Sequence, residues 1–384
     1  MTYLDHNATS PLRPEAREAM SRAMGTGGNP SSVHGAGRAA RALVEAAREQ
    51  VAELVHARTQ DVIFTSGGTE ANALALWGAV HGAADAEARI TRLFVSAIEH
   101  DSVKANAAAI AERVPGVRLQ TIAVTNSGIV DTENLRVLLR EGKGRAIVAV
   151  MLANNETGAV QPLAQVATLA KDAGALLLVD AIQAAGKLDI DFAALGADYL
   201  TLSAHKLGGP QGAGALIVKE GAPFVAQILG GGQERGTRAG TENVVGIAGF
   251  GAAAEASQRG LGTMSRIAFL RDRFEHGLKQ IAPDAIVFGE TRLGNTSNFA
   301  LPGIAAETAV IALDLDGVMA SSGAACSSGK VKPSHVLQAM GVSEDIARSA
   351  LRVSFGWNST EQDADAALAS LHKLVSRTRS RAAA

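Results

Sequence analysis

The stretch "ALLLVDAIQ", residues 175–183, is an apolar run that ends in a carboxylate. A run of this length is typical of a strand that is buried on both faces of a parallel sheet. An ionised side chain such as Asp180 is costly at the end of such a strand unless a cation or several hydrogen-bond donors meet it. The stretch therefore predicts an α/β fold with a polar site at the carboxyl ends of its strands, where such sheets bind ligands.

Six other apolar runs of strand length accompany this one. They are residues 61–64, 92–96, 118–124, 146–152, 198–203 and 214–218. Between several of them lie segments rich in Ala, Leu and Glu with apolar residues near i, i+3 and i+4, at 69–83, 100–113 and 162–173. This alternation predicts a largely parallel sheet that is covered by helices on both faces.

The pattern changes in the last third of the chain. A long helical stretch is followed by two strand candidates, "SNFAL" and "LRVSFG", and by a helix that begins near residue 360. We therefore expect two domains. The large domain would comprise residues 16–257, and a smaller α+β domain would comprise residues 1–15 and 258–384.

The composition excludes several classes of partner. Lys and Arg total 36 against 38 Asp and Glu, and the net charge of −2 gives no general attraction to nucleic acid or to an anionic membrane. No apolar run approaches the length of a membrane span, and the first residues do not have the pattern of a secretory signal. The sequence predicts a cytoplasmic protein that binds a small molecule.

Two glycine-rich motifs do not fit the nucleotide-binding loops that they resemble. "GAGRAA", residues 35–40, matches G-x-G-x-x-A, but the preceding "NPSSVH" does not have the pattern of a strand. In "SSGAACSSGK", residues 321–330, the glycines are one residue too far apart for a P-loop, and Val331 stands where Ser or Thr would bind magnesium. The second motif is typical of a loop, because Gly and Ser weaken helices and strands.

Two further segments place polar groups at strand ends. In "FTSGGTEANAL", residues 64–74, a strand leads into a helix through Gly68 and Thr69, so that free N–H groups and a hydroxyl suit a phosphate. An ordinary N-cap would have the same pattern. In "TLSAHKLGGPQGAGAL", residues 201–216, Lys206 follows a strand and can form a Schiff base with an aldehyde cofactor. These groups suit pyridoxal 5′-phosphate: Lys206 would bind its aldehyde, the start of the helix at Gly68 and Thr69 its phosphate, and Asp180 its pyridine nitrogen.

The whole chain resembles the cysteine desulfurases of the NifS/IscS type, which are fold-type I pyridoxal-phosphate enzymes of the class-V aminotransferase group. The motifs that carry the resemblance are "YLDHNATSPL", "GNPSSVHGAGR", "FTSGGTEANAL", "EHDSV", "NNETGAVQP", "VDAIQAAGKLDID", "SAHKLGGPQGAGAL", "ERGTRAGTEN", "NTSNFAL", "SSGAACSSG" and "LRVSFGWNST". The resemblance implies the fold of that group and the conversion of L-cysteine to L-alanine.

The resemblance also implies a role for each residue of the cofactor site. Lys206 would bind the aldehyde of the cofactor, Asp180 would pair with its pyridine nitrogen, and His100 would stack on its ring and help to move protons. Asn155 and Gln183 would lie beside the phenolic oxygen of the ring.

Phosphate contacts are implied in the same way. Gly68, Thr69, Ser203 and His205 would hold the phosphate, and Thr241 would reach the cofactor phosphate of the neighbouring subunit, which implies a homodimer.

The substrate pocket follows from the same resemblance. Arg352, whose planar guanidinium suits a bidentate contact, would bind the carboxylate of L-cysteine, with Asn155 beside it. Asn29 would line the pocket, although its Gly and Pro neighbours suit a structural turn equally well.

Cys326 is the one cysteine of the chain, so that an internal disulfide and a multi-cysteine zinc site are excluded. The resemblance implies that its thiolate attacks the substrate sulfur and carries it as a persulfide, because the thiolate is the nucleophile. The sulfur would pass to an acceptor protein such as an iron–sulfur scaffold. We expect no resident metal ion, although Cys326 could transiently ligate an iron–sulfur cluster.

Two alternatives stay open from the sequence. Another class-V enzyme, an aminotransferase or a selenocysteine lyase, would also use Lys206, but the motif around Cys326 favours the desulfurase. A sulfur or cluster carrier would use Cys326 alone and would not require Lys206 and Asp180.

Overall fold

The structure is a computed structural model that describes residues 1–83, 89–322 and 333–382, with side chains described up to residue 378. Cys326 therefore lies outside the described residues. In chain order the strands are β1 (Thr2–Tyr3), β2 (Val62–Thr65), β3 (Ile90–Ser96), β4 (Arg118–Ile122), β5 (Arg145–Met151), β6 (Leu176–Asp180), β7 (Tyr199–Ser203), β8 (Gly214–Val218), β9 (Ile286–Phe288), β10 (Thr296–Ala300), β11 (Val318–Met319) and β12 (Ala350–Ser354).

The α-helices alternate with the strands through the first two thirds of the chain. They are α1 (Pro14–Met24), α2 (Gly35–Leu54), α3 (Gly68–Gly82), α4 (Asp101–Arg113), α5 (Thr132–Arg140), α6 (Leu163–Asp172), α7 (Phe192–Leu195), α8 (Val244–Arg259), α9 (Met264–Ile281), α10 (Ala306–Leu315), α11 (His335–Ala339), α12 (Glu344–Ala347) and α13 (Glu361–Ala382). In the described ranges, none of these helices combines the length and the apolar composition that a membrane span requires.

The large sheet has the spatial order β2-β8-β7-β6-β5-β3-β4. Strands β3 to β7 pair in parallel, whereas β8 is antiparallel to both β7 and β2. Each of the seven apolar runs in the sequence forms one of these strands, so the prediction of a largely parallel α/β sheet is confirmed. The connection between β7 and β8, residues 204–213, is too short for the helical crossover that parallel strands need, and β8 therefore returns antiparallel.

The central strand, β6, explains why the sequence reads "LLLV" without polar interruption. Leu177 and Val179 belong to the core on one face of the sheet, and Leu176 and Leu178 belong to the core on the other face. Side chains alternate along a strand, so that a strand covered on both faces must be apolar throughout. Asp180, the last residue, is the first position at which a polar side chain can meet the cavity beyond the strand end.

A second core lies among elements of the C-terminal part of the chain. β10 pairs antiparallel with β9 and β12, and Phe274 of α9 packs against Phe299 and Phe355. The N-terminal segment joins this core, because β1 pairs with β11 and Leu4 is buried there. The boundary between residues 257 and 258 stays a prediction.

The motif "GAGRAA" opens helix α2, and the ten residues before it, 25–34, contain no strand. Instead, His34 caps the helix by accepting a hydrogen bond from the N–H of Gly37. The strand that a dinucleotide-binding turn requires is missing at this place, as the sequence indicated.

Candidate functional site

A cavity of about 730 Å³ opens at the carboxyl ends of β6 and β7. Residues of the C-terminal part also line it, since its wall includes Ser334 and His335. The lining residues that the sequence singled out are Gly68, Thr69, His100, Asn155, Asp180, Gln183, Ser203, His205, Lys206 and Arg352. Side chains that lie up to 284 positions apart in the chain therefore meet in one place.

Asn29 and Thr241 do not line this cavity. Asn29 is exposed, and its Oδ1 accepts a hydrogen bond from the N–H of Ser31 at 2.8 Å, which is the geometry of a turn. Thr241 is also exposed. The role that the resemblance implies for Thr241 lies in a neighbouring subunit, so its role stays a prediction.

Asp180 is the last residue of β6 and is 5% exposed. Its Oδ2 accepts a hydrogen bond from the side-chain amide of Asn72 at 2.8 Å, and its Oδ1 accepts one from the N–H of Ile182 at 3.0 Å. Burial raises the pKa of Asp180, whereas these donors and the charges of His100 and Lys206 act to lower it. A protonated ring nitrogen approaching from the cavity would further stabilise the ionised carboxylate.

Lys206 lies in the tight turn Ala204–Lys206 that follows β7. Its Nζ donates hydrogen bonds to the carbonyl oxygens of Asn7 and Ala8, both at 2.6 Å. Burial, and then the positive charge of Arg352, lower the pKa of Lys206 to about 8. A fraction of the protein molecules therefore carries Lys206 as a neutral amine near pH 7, and the neutral amine is the form that attacks an aldehyde.

Helix α3 begins at the cavity without a side-chain cap. At its first residue, Gly68, a Cβ would meet Cδ1 of Ile182 at 2.2 Å, so glycine allows the helix end to approach the ends of β6 and β7. Uncapped N–H groups and the positive end of the helix dipole suit a phosphate. Thr69 and Ser203 line the same cavity, as does His205, whose pKa burial lowers to about 4, so that its ring is neutral.

His100 is held at the cavity by one edge of its ring. It caps α4, because its Nδ1 accepts a hydrogen bond from the N–H of Ser102 at 3.1 Å. The same Nδ1 lies 2.8 Å from the Ser102 hydroxyl. These contacts use the Nδ1 edge and leave Nε2 for a ligand.

Arg352 is 4% exposed, so it does not lie on a solvated strand face. Its guanidinium donates to the carbonyl oxygen of Asn155 at 2.8 Å and to Oδ1 of Asp5 at 2.6 Å. Its buried Nε has no hydrogen-bond partner among the described residues. Arg352 lines the cavity, so its guanidinium suits a carboxylate that enters there.

A second lysine of lowered pKa, Lys187, contacts Gln183 of the cavity wall but does not itself line the cavity. Nζ of Lys187 donates to the carbonyl oxygen of Gln183 at 2.7 Å and contacts its Oε1 at 3.3 Å, and burial lowers the pKa of Lys187 to about 7. The Gln183 amide in turn donates to the carbonyl oxygen of Asn7 at 2.8 Å. The sequence gives no signal for Lys187, because an isolated lysine four positions after Gln183 has no distinguishing pattern.

Glu156 is a buried carboxylate of the cavity wall that the sequence analysis also missed. Ser334 donates a hydrogen bond to Oε2 of Glu156 and caps α11. Burial raises the pKa of Glu156 to about 7. This contact ties the segment that follows residues 323–332 to the wall of the cavity.

Asn72 is a further residue of the site that the motifs did not indicate, but its sequence context could have pointed to it. It is the one polar residue in "ANALALWGAV", residues 71–80, and it is fully buried. A buried amide must be hydrogen-bonded, so its position in an apolar helix indicates partners on a neighbouring element. The sequence does not identify those partners, because they lie far from Asn72 along the chain.

The cavity combines a partly neutral amine, a buried carboxylate and an uncapped helix N-terminus. Such a set can bind an aldehyde, a protonated ring nitrogen and a phosphate, respectively. Arg352 adds a site for the carboxylate of a ligand.

Comparison with known proteins gives concordant matches over the whole chain. The family model described as aminotransferase class-V matches residues 2–367. A "Cysteine desulfurase" of Cereibacter sphaeroides is 44% identical, with 98% of this chain and 96% of that protein covered. An "IscS-like cysteine desulfurase" of Mycobacterium tuberculosis is 39% identical, with 99% and 97% covered. The X-ray structure of a NifS-like protein from Rickettsia africae has a TM-score of 0.88 at 33% identity, with 98% and 99% covered.

Proposed function

This chain belongs to the aminotransferase class-V family, and from that premise we propose that it converts L-cysteine to L-alanine and supplies the sulfur to iron–sulfur cluster assembly or another transfer route. It is an enzyme, a cysteine desulfurase of the sulfurtransferase type. The observation that carries the proposal is the meeting of Lys206, Asp180 and Arg352 in one cavity.

We propose that the cofactor is pyridoxal 5′-phosphate, which this family of enzymes uses. The donor set supports it: Lys206 offers a partly neutral amine, Asp180 a buried carboxylate, and α3 an uncapped N-terminus. Gly68, Thr69, Ser203 and His205 would hold the phosphate, with Asn155 and Gln183 near the phenolic oxygen. When bound, the cofactor supplies an electron sink for the charge that develops at Cα of the substrate.

The residues of the chain would bind the substrate and move its protons. Arg352 would bind the substrate carboxylate through its guanidinium, which lines the cavity. The Lys206 amine, once free, would take the Cα proton, and His100 would exchange protons through Nε2. The Cys326 thiolate would attack the substrate sulfur and form the S–S bond of a persulfide while the Cβ–Sγ bond breaks. The electron pair of that bond would go to the carbon side, and a proton taken up at Cβ would give the methyl group of alanine.

The proposal is tested with purified protein, pyridoxal 5′-phosphate, L-cysteine and a thiol reductant. The reductant supplies the two electrons that release the persulfide sulfur as sulfide, so we expect alanine and sulfide in equal amounts. An aminotransferase would instead make a 2-oxo acid when given an amino acceptor and would release no sulfide. That second product pattern would contradict the proposal.

The pKa of Lys206 predicts how attachment of the cofactor depends on pH. With a pKa of about 8, the neutral amine is about a tenth of the population at pH 7, against less than about one part in a thousand for an ordinary lysine. Protonation abolishes the nucleophile, so attachment of added pyridoxal 5′-phosphate to the apoprotein should speed up about tenfold from pH 6 to pH 7 and level off above pH 8. Stopped-flow absorbance measures this rate.

The matched control is Lys187→Met, which removes the neighbouring amine and should leave the profile in place. A rate that continued to rise up to pH 10 would show that the pKa of Lys206 is ordinary.

Four further proposals rest on the sequence. The chain would form two domains, one of residues 16–257 and one of residues 1–15 with 258–384. It would form a homodimer in which Thr241 contacts the cofactor phosphate of the neighbouring subunit. An acceptor protein would receive sulfur from Cys326, and the protein would be cytoplasmic. Supporting the domain division, Leu4 packs in the second core with residues that follow position 260.

A further inference from the structure

Asn72 lies in the second turn of α3, and all the hydrogen-bonding groups of its side chain but one lone pair are used. Its Nδ2 donates to Oδ2 of Asp180 at 2.8 Å and to Oγ of Ser102 at 2.9 Å. Its Oδ1 accepts from the hydroxyl of Thr201 at 2.8 Å. These contacts join α3 to β6, to α4 and to β7 at one buried point.

The partners assign the orientation of the amide. Asp180 can only accept when it is ionised, so Nδ2 and not Oδ1 must face it. The Thr201 hydroxyl then donates to Oδ1. Flipping the amide would place Oδ1 against the carboxylate, so that two acceptors would face each other.

A second branch leads from Asn72 to His100. Because Ser102 Oγ accepts from Asn72, its own hydrogen is free to donate to Nδ1 of His100, which lies 2.8 Å away. The backbone N–H of Ser102 points at the same Nδ1. Two donors at Nδ1 disfavour a proton there, so the neutral ring carries its proton on Nε2.

We propose that Asn72 is a positioning residue that holds the Asp180 carboxylate toward the cofactor and, through Ser102, selects the Nε2-protonated form of His100. One amide thus sets both groups that would contact the cofactor ring. The proposal rests on the proposed function for the identity of the cofactor, but its readouts do not require turnover.

The test measures two quantities in full-length protein. Titration of the apoprotein with pyridoxal 5′-phosphate gives the dissociation constant, and ¹⁵N NMR of protein labelled at histidine gives the tautomer of His100, assigned by the signal lost in His100→Gln. Asn72→Ala removes both donors, and we expect cofactor affinity to fall at least tenfold and the His100 nitrogen shifts to change. Ser102→Ala cuts one branch, so it should change the nitrogen shifts while affinity stays within about twofold.

A matched control is available in the same pair of helices. Asn106 of α4 accepts a hydrogen bond from Trp77 of α3 at 2.9 Å, but it does not line the cavity. Asn106→Ala should change neither readout. If Asn72→Ala lowers the thermal midpoint as Asn106→Ala does and leaves affinity and nitrogen shifts unchanged, Asn72 is structural only and the proposal is wrong.

A second variant covers a failure of Asn72→Ala to fold, and one further result separates this proposal from the proposed function. Should Asn72→Ala not fold, Asn72→Leu tests the affinity branch, because it fills the buried volume of the side chain but cannot donate to Asp180; an unchanged affinity there would overturn the proposal. If the wild type releases no sulfide from L-cysteine but the two readouts respond as expected, the positioning role stands and the desulfurase assignment fails.

Discussion

Lys206→Ala is expected to abolish the turnover of L-cysteine and the covalent attachment of the cofactor. The variant loses the amine whose lowered pKa makes it reactive near neutral pH and which would also move the Cα proton. Loss of a proton-transfer group alone costs roughly 10² to 10⁴-fold in rate. The measurement is alanine production, together with the visible absorbance of the protein after addition of pyridoxal 5′-phosphate.

Lys187 provides the control for this result, because its pKa is also lowered and it contacts Gln183 of the cavity wall. Lys187→Met should retain the attached cofactor. Borohydride reduction followed by peptide mapping decides between the two amines directly. Label on the peptide that contains Lys187, or attachment that persists in Lys206→Ala, would contradict the assignment.

Cys326→Ala is expected to lower sulfide release by roughly 10³-fold or more, as loss of a nucleophile does in other enzymes. The attached cofactor and its absorbance should stay, because the residues that would hold it lie in the cavity described above. The chain has one cysteine, so a persulfide found by mass spectrometry on the wild type can only be on Cys326.

The exchange Ser327→Ala, beside Cys326, should leave sulfide release unchanged and controls for disturbance of the motif. L-selenocysteine is the second substrate to assay with Cys326→Ala. Turnover of L-cysteine at the normal rate by Cys326→Ala would refute the thiol mechanism. Retained turnover of L-selenocysteine alone would identify a lyase activity that does not need this thiol.

The site was predictable where a motif stands at the end of an apolar run. Asp180 is the last residue of β6 and Lys206 lies in the turn that follows β7, and strand ends of a parallel sheet meet at one edge. The partners that tune these residues were not predictable. Asp5 pairs with Arg352 across 347 positions, and Asn72 meets Asp180 across 108 positions, and no local pattern encodes such contacts.

The sequence alone determined the placement of the central strands such as β5 and β6, because strands that are covered by apolar cores on both faces need apolar residues on both faces, and this requirement is local. Only the tertiary structure decided which strands are neighbours, such as β8 between β2 and β7, since an apolar run does not specify its partner. It also decided the chemistry of the site. A lysine is an ordinary cation until burial and the charge of Arg352 lower its pKa, and those surroundings come from distant parts of the chain.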